Sequence, residues 1–308
     1  MTTTGTSTFN LDLNDLIEEA FERCGMELRT GYDFRTARRS LNLLTIEWAN
    51  RGLNLWTIEQ GVIPMVTGQA TYPLPDNTID LLDQVIRQNN GTTNQIDINI
   101  NRISESTYST IPNKLTQGRP IQVWVNRQTG AANSITATLS GNITSTDTTI
   151  TLSSTAELAS SGFIKIGSET ISYPNISGNQ LLNCARGQNN TTAAAHTSGA
   201  AITVQNLPSV NVWPTPNAPG NQYTLVYWRM RRMQDAGDGV NTQDIPFRFI
   251  TAMVAGLAYY LSIKLQNVPQ ERILGLKADY DQQFQLAADE DREKASIRFV
   301  PRNMSYVR

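Results

Sequence analysis

Apolar side chains recur at helical spacing near both ends of the chain and alternate at strand spacing between them. Leu13, Leu16, Ile17, Ala20, Phe21 and Cys24 share one stripe. That stripe predicts an amphipathic helix capped by Asn10 or Asp12 and ended by Gly25. A second helix is predicted from Asp33, with Phe34, Ala37, Leu41, Leu44 and Trp48 spaced three, four, three and four. This spacing makes a packing seam against another helix. Arg35, Arg38, Arg39 and Arg51 lie off the seam, and Gly52 closes the helix. Near the far end, Asp244-Ile245-Pro246 is a helix start running to about Leu265, with proline allowed in the first turn. Pro269 opens another, with Ile273, Leu276, Tyr280, Phe284 and Ala287 on one face.

The middle reads as strands. Leu55 to Val66 is extended, and Tyr72-Pro73-Leu74-Pro75 is barred from helix because each proline pushes its predecessor to an extended shape. Ile79 to Ile86 reads as a strand. Ile96, Ile98 and Ile100 alternate, as do Ile121, Val123 and Val125, and later Tyr223, Leu225 and Tyr227. Ser104 caps a short helix to Tyr108. Between Ser134 and Val204 the only charged residues are Asp147, Glu157, Lys165, Glu169 and Arg186. This Thr-, Ser-, Gly- and Asn-rich tract shows no helical period. Strands are predicted at Ile135 to Leu139, Thr149 to Leu152, Phe163 to Ile166, Glu169 to Tyr173, Gln180 to Asn183 and Ala201 to Val204. Close spacing of short strands predicts a small sandwich or barrel. Without the tract, Ile121 to Asn126 and Val210 to Arg229 become near neighbours, as strands of one meander. The tract therefore reads as an insertion.

The resulting expectation is an α+β fold: a helical bundle of N- and C-terminal helices with a small antiparallel strand meander, plus an inserted all-β domain. The boundaries are 1–133 and 205–294 for the body, 134–204 for the insert and 295–308 for a C-terminal tail. Length agrees, since 308 residues is about two domains. A charged fraction of 17% is ordinary, if low, for a soluble protein, and a net charge of -2 argues against a dedicated nucleic-acid binder. The uncharged run Phe249 to Ile263 falls short of the ~20 residues of a membrane span and reads as a buried helix. The start MTTTGTSTFN lacks the basic and apolar regions of a signal peptide. Cys24 and Cys184 lie in different predicted domains, which speaks against a disulfide framework or a structural zinc site.

Catalytic chemistry finds little support. His196, the only histidine, sits in a Thr/Ser/Gly-rich loop, and no nucleophile elbow accompanies it. Cys184 precedes Arg186, which would lower a thiol pKa, but a small buried apolar role is the simpler reading. Phosphate loops and dinucleotide fingerprints are missing. The carboxylate pairs Glu18-Glu19 and Asp289 to Asp291 are assigned to solvent faces, and the five tryptophans to packing. No catalytic, cofactor or metal residue is therefore assigned, and the chain is expected not to be an enzyme. Arg35, Arg38 and Arg39 fit a solvated helix face, a subunit contact or DNA. Arg229, Arg231 and Arg232, beside Trp228, fit a subunit interface. The tail carries Arg298, Arg302 and Arg308 among Phe299, Met304, Tyr306 and Val307, with no acid. Its composition fits both a frayed end and a segment that orders on a partner.

The unit Asp33-Phe34-Arg35-Thr36-Ala37-Arg38-Arg39-Ser40-Leu41-Asn42 through Trp48-Ala49-Asn50-Arg51-Gly52-Leu53-Asn54-Leu55-Trp56 is distinctive, as is Ile245-Pro246-Phe247-Arg248-Phe249-Ile250-Thr251-Ala252 with its helix pair. In that order they resemble the head-to-tail adaptors of short-tailed bacteriophages, also called tail tubular protein A or tail accessory factors. The resemblance implies a structural virion protein at the head-tail junction, assembled in the host cytoplasm. It implies a homododecameric ring below the portal, a helical bundle around the DNA channel, and a role in genome ejection. Portal protein, tail nozzle protein, neighbouring adaptor subunits and double-stranded DNA passing non-specifically become the partners, with no membrane. The docking tail would use Arg298, Phe299, Arg302, Tyr306 and Arg308. The tract Gly162-Phe163-Ile164-Lys165-Ile166-Gly167-Ser168-Glu169-Thr170-Ile171-Ser172-Tyr173, with Cys184-Ala185-Arg186-Gly187 and Thr192-Ala193-Ala194-Ala195-His196, is similar to a β-module scattered among phage virion proteins. Tail fibres or neighbouring subunits would be its contacts. The alternative is a virion surface protein whose β-module binds or degrades host glycan. Against it, Phe163 and Tyr173 are the insert's only aromatic residues.

Overall fold

The structure, a computed structural model, describes residues 3–29, 31–52, 55–130, 133–220, 222–238 and 240–292. Among them are five α-helices: α1 (Leu13–Cys24), α2 (Gly31–Arg51), α3 (Glu105–Ser109), α4 (Ile250–Ser262) and α5 (Gln270–Glu290). The fold is α+β. It divides into two compact units, one built from residues up to Thr57 and from Met233 onward, the other from Ile58–Arg232.

The first unit joins the two ends of the chain around one core. α1 starts at Asp12, whose carboxylate accepts the Asp15 N–H at 2.9 Å, and stops at Gly25 with φ 76°. That left-handed turn suits a residue without a Cβ. The predicted stripe, Leu13 through Cys24, is buried, as are Ala37, Leu41, Leu44 and Trp48 of the α2 seam. α2 begins two residues before the expected Asp33. α4 is uncharged and buried on nearly every side, because α1, α2 and α5 all pack on it. Gly256 permits the closest approach: a Cβ there would sit 2.8 Å from Tyr280 Cε2 and 2.9 Å from Leu44 Cδ2. Trp48 Nε1 donates to the Tyr280 hydroxyl at 2.9 Å, and its ring lies 5.4 Å from Phe249 and 5.5 Å from Phe284. The indole thus keeps its one donor satisfied while filling the core.

One expectation fails here. Asp291 is not on a solvent face. It is buried, accepts the Leu55 N–H at 3.1 Å and lies 3.5 Å from Arg248 NH2. It closes α5 onto the chain leaving α2, where an unpaired backbone N–H would otherwise be costly.

The second unit contains the strands. The expected single meander is instead two four-stranded sheets. One runs Ile58–Pro64, Tyr223–Arg231, Thr78–Gln88 and Ile96–Asn99 in spatial order. The other runs Thr71–Pro73, Ser209–Trp213, Gln122–Asn126 and Asn101–Arg102, the last pair parallel. The two segments flanking the low-charge tract do pair: Ser209 faces Asn126, Val210 faces Val125 and Trp213 faces Gln122. Tyr223–Arg231 leaves for the other sheet because its long alternating run matches Ile58–Pro64 on one edge and Thr78–Gln88 on the other. Met65, Tyr72, Leu81, Ile86, Val123 and Leu225 are among the residues of their shared core.

Strands drawn from 133–205 form a five-stranded and a three-stranded sheet. Their core is separate and includes Leu139, Ile150, Ile164, Ile171, Leu181 and Ile202. All six predicted strands are present, with two that the pattern did not show, Asn175–Ser177 and Ala185–Gln188. Both are short and nearly lacking in apolar alternation, so pairing rather than side-chain pattern defines them.

Candidate functional site

The histidine, the only arginine of the low-charge tract and a glutamate come together among the strands of that tract. Glu169 opens a strand, Arg186 lies on the strand Ala185–Gln188, and His196 follows in the loop beyond it. The Glu169 side chain is fully buried and that of Arg186 is 6% exposed. Arg186 Nε and NH2 reach the two carboxylate oxygens at 2.8 Å each. The Gly187 and Ala194 N–H groups donate at 3.0 and 3.1 Å, and His196 Nε2 lies at 2.8 Å. An ionised carboxylate only accepts, so Nε2 carries the proton. Burial is the largest influence on Glu169 and raises its pKa. The hydrogen bonds from Arg186, His196, Ala194 and Gly187 together outweigh it and hold the carboxyl at about 2. Both carboxylate oxygens of Glu169 are occupied. The cluster is a clasp that ties two strands to the loop after them, and it explains why the tract spends charge at these positions.

The remaining chemical candidates are equally well accounted for. Cys184 is buried, and burial pushes its thiol up to about 12 despite the opposing pull of Arg186. Cys24 is buried in the helical core and pushed up to about 11 by burial, with Arg272 opposing. Both cysteines are unpaired. Among the described residues, no group of three or more His, Cys, Asp or Glu is placed to hold a metal ion. No described helix is long and apolar enough to cross a membrane. Phe163 and Tyr173 are 3% and 1% exposed, so the module's own aromatic rings offer no face for sugar stacking. A cavity of about 690 Å³ in the second unit is lined by Trp124, Tyr108, Asn126, Gln128 and Gln205, among others. Trp124 and Tyr108 stack with centroids 5.2 Å apart. The cavity's amides partly satisfy each other, as Gln128 Nε2 does with Asn206 Oδ1 at 3.2 Å.

The arginine candidates separate. Arg229 is buried and donates to Asn77, Thr78 and Glu59, and Arg231 donates to Glu59 as well. These two guanidinium groups brace their own sheet. On α2, Arg38 donates to the Ala236 carbonyl at 3.2 Å and pairs with Asp238 at 2.6 Å. It is committed within the unit. Arg35 and Arg39 are exposed. They share the outer face of α2 with Tyr32, Leu43 and Ile46, which are 67%, 48% and 45% exposed. The spacing rule that found the inner seam also marks these positions, because they fall between its members. The tail candidates Arg298, Phe299, Arg302, Tyr306 and Arg308 lie outside the described residues.

Two helical ends share one hydrophobic core, and two four-stranded sheets share another. Residues 113–304 match the family described as SU10 adaptor protein. The chain belongs to the SU10 adaptor protein family. The match spans the low-charge tract and both long C-terminal helices of the adaptor. Among curated proteins, none matches the chain. The family makes this a bacteriophage adaptor protein, a virion component that joins other virion components. A tail tubular protein A assignment is finer than the match carries.

Proposed function

We propose that this adaptor is a structural head-to-tail connector without enzymatic turnover: a ring below the portal that joins capsid to tail and surrounds the DNA channel. The observation that carries the reading is the family match over residues 113–304. In this reading the helical unit is the adaptor's bundle, and residues 134–204 are an accessory β-domain inserted into the strand-rich body. Their separate hydrophobic core supports that view, as does the pairing of Gln122–Asn126 with Ser209–Trp213 on either side of it. The portal above, the tail nozzle below and neighbouring adaptors are the partners, with tail fibres meeting the β-domain and DNA passing non-specifically.

The basic and aromatic tail, residues 295–308, docks on the portal. Arginines between large apolar residues give such a segment both charge-assisted contacts and anchors. Ordering on contact would localise neighbours and raise their effective concentration around the ring. Deletion of residues 295–308 is expected to abolish portal binding in pull-down and sedimentation while leaving the circular dichroism of the body unchanged. Undiminished portal binding by the deletion variant would refute the docking role.

A further inference from the structure

α2 and α5 each span 21 residues, and each carries an outer stripe that the fold leaves uncovered. On α2 the stripe is Tyr32, Arg35, Arg39, Leu43, Ile46 and Asn50, all exposed. On α5 it is Glu271, Leu274, Ala278, Gln282, Gln285 and Asp289, also exposed, with Leu274 at 59%. Both stripes step by three, four, four, three and four. That spacing draws one straight seam along a helix of about 30 Å. The α2 stripe is basic and the α5 stripe acidic.

Read backwards, the α5 steps are four, three, four, four and three, so the two stripes stay within one residue of each other in either direction, and side-chain chemistry selects one. Side by side in the same direction, Leu43 and Ile46 would face Gln282 and Gln285, and Arg35 would cover Leu274. In opposite directions, Ile46 meets Leu274 and Leu43 meets Ala278. Arg39 then meets Gln282 beside Asp281, Arg35 meets Gln285, and Asn50 meets Glu271. Apolar positions coincide and Arg39 lies within reach of Asp281, while Asp289 is held by Arg292 and Gln285 of its own helix end. Antiparallel helices also set opposite macrodipoles beside each other.

We infer that α2 of one copy docks antiparallel on α5 of the next copy through these two stripes. The two faces differ, so the contact is heterologous, and such contacts generate rings when the rotation closes. The inference rests on the connector reading for its biological setting but not for its chemistry. A second copy suits these stripes better than DNA does, because a DNA-facing helix has no use for Leu43 and Ile46 at the centre of its exposed face, nor for an acidic counterpart of matching spacing.

The test uses the full chain. A single chain carrying Ile46→Cys and Leu274→Cys is oxidised at assembly concentration; Cys24 and Cys184 are buried and serve as a silent background. A ladder of covalent multimers is expected from the double variant, and none from either single variant. Dimers from Ile46→Cys alone would mean a two-fold contact and overturn the proposal, as would no ladder. In parallel, Arg39→Glu is expected to lower ring yield at least tenfold, the order expected for a like-charge contact in an interface. Adding Asp281→Arg to that variant is expected to restore it. Circular dichroism checks that each variant is folded. Wild-type yield from Arg39→Glu overturns the interface, and so does unchanged yield accompanied by lost salt-dependent DNA binding, which would assign the stripe to DNA. Failure of the connector reading is separable: it would appear as a cross-linked ladder from protein that never associates with the portal.

Discussion

Replacing Glu169 by glutamine removes one charge and almost no volume. The carboxylate receives hydrogen bonds from Arg186 Nε and NH2, Gly187 N, Ala194 N and His196 Nε2, at 2.8 to 3.1 Å. A glutamine keeps one acceptor oxygen and turns an NH2 group towards donors on the other side. With its oxygen at the position that now serves Arg186 NH2, Ala194 and His196, its NH2 opposes Arg186 Nε and Gly187 N. The Arg186 guanidinium, 6% exposed, is left without its counter-charge. Breaking a buried pair from one side costs about 3–5 kcal/mol. In the proposed reading of residues 134–204 as an inserted domain, its stability rests on its own hydrophobic cluster, so a loss of that size is expected to open it while the rest of the chain stays folded. The five tryptophans, at positions 48, 56, 124, 213 and 228, all lie outside the module. Tryptophan fluorescence, apart from that of Trp124, which lines a cavity with Phe163, Tyr173 and Gln205, therefore follows the rest of the molecule, and hydrogen exchange of Glu169–Tyr173 and Ala185–Gln188 follows the module. Accelerated exchange in those two strands with an unchanged tryptophan transition is the expected result. Exchange rates equal to wild type would refute the clasp.

Three further outcomes follow from the same geometry. Because Glu169 has a folded-state pKa of about 2 against an ordinary 4.5, its stabilisation is complete above the ordinary value and fades as pH falls from there towards about 2; acid titration monitored by exchange of the module should show this loss in wild type and not in Glu169→Gln. Gly256→Ala drives a methyl into Tyr280 and Leu44 at under 3 Å, and is expected to destabilise the helical unit by about 1–3 kcal/mol in denaturant melts; a neutral result would mean the α4 packing is looser than described. Cys24 and Cys184, both buried with raised thiol pKa values, should resist a thiol reagent at neutral pH until denaturant is added; immediate reaction of either would contradict its burial.

The helices were legible because their apolar stripes, caps and stops agree. Leu13 to Cys24 with Asp12 and Gly25 is a complete sentence of local chemistry, and the α2 seam is another. Strands were legible one at a time but not in their partnerships. Tyr223, Leu225 and Tyr227 reveal an alternating run, yet nothing local says that it pairs with Ile58–Pro64 rather than continuing the sheet of Ser209–Trp213. Registry over 100 residues apart is a tertiary property. The same limit hides the clasp: nothing local in the sequence joins Glu169, Arg186 and His196, and only the fold brings Arg186 and His196 each to 2.8 Å from the Glu169 carboxylate. Asp291 departs from the solvent face that its charged run predicts, because its carboxylate accepts the Leu55 N–H. The pairing of Arg229 and Arg231 with Glu59 is equally invisible in the sequence, because that acid lies far away in the chain. The outer stripes of α2 and α5 were present in the same residue spacings as the inner seams. They carry meaning only once burial shows which side of each helix the core has taken.

The most direct test of the connector account is electron microscopy of the purified adaptor mixed with its portal. The account predicts closed rings stacked coaxially on one face of the portal with an open central channel, and no such stacking by the variant lacking residues 295–308. Adaptor that remains dispersed beside bare portal particles would contradict it.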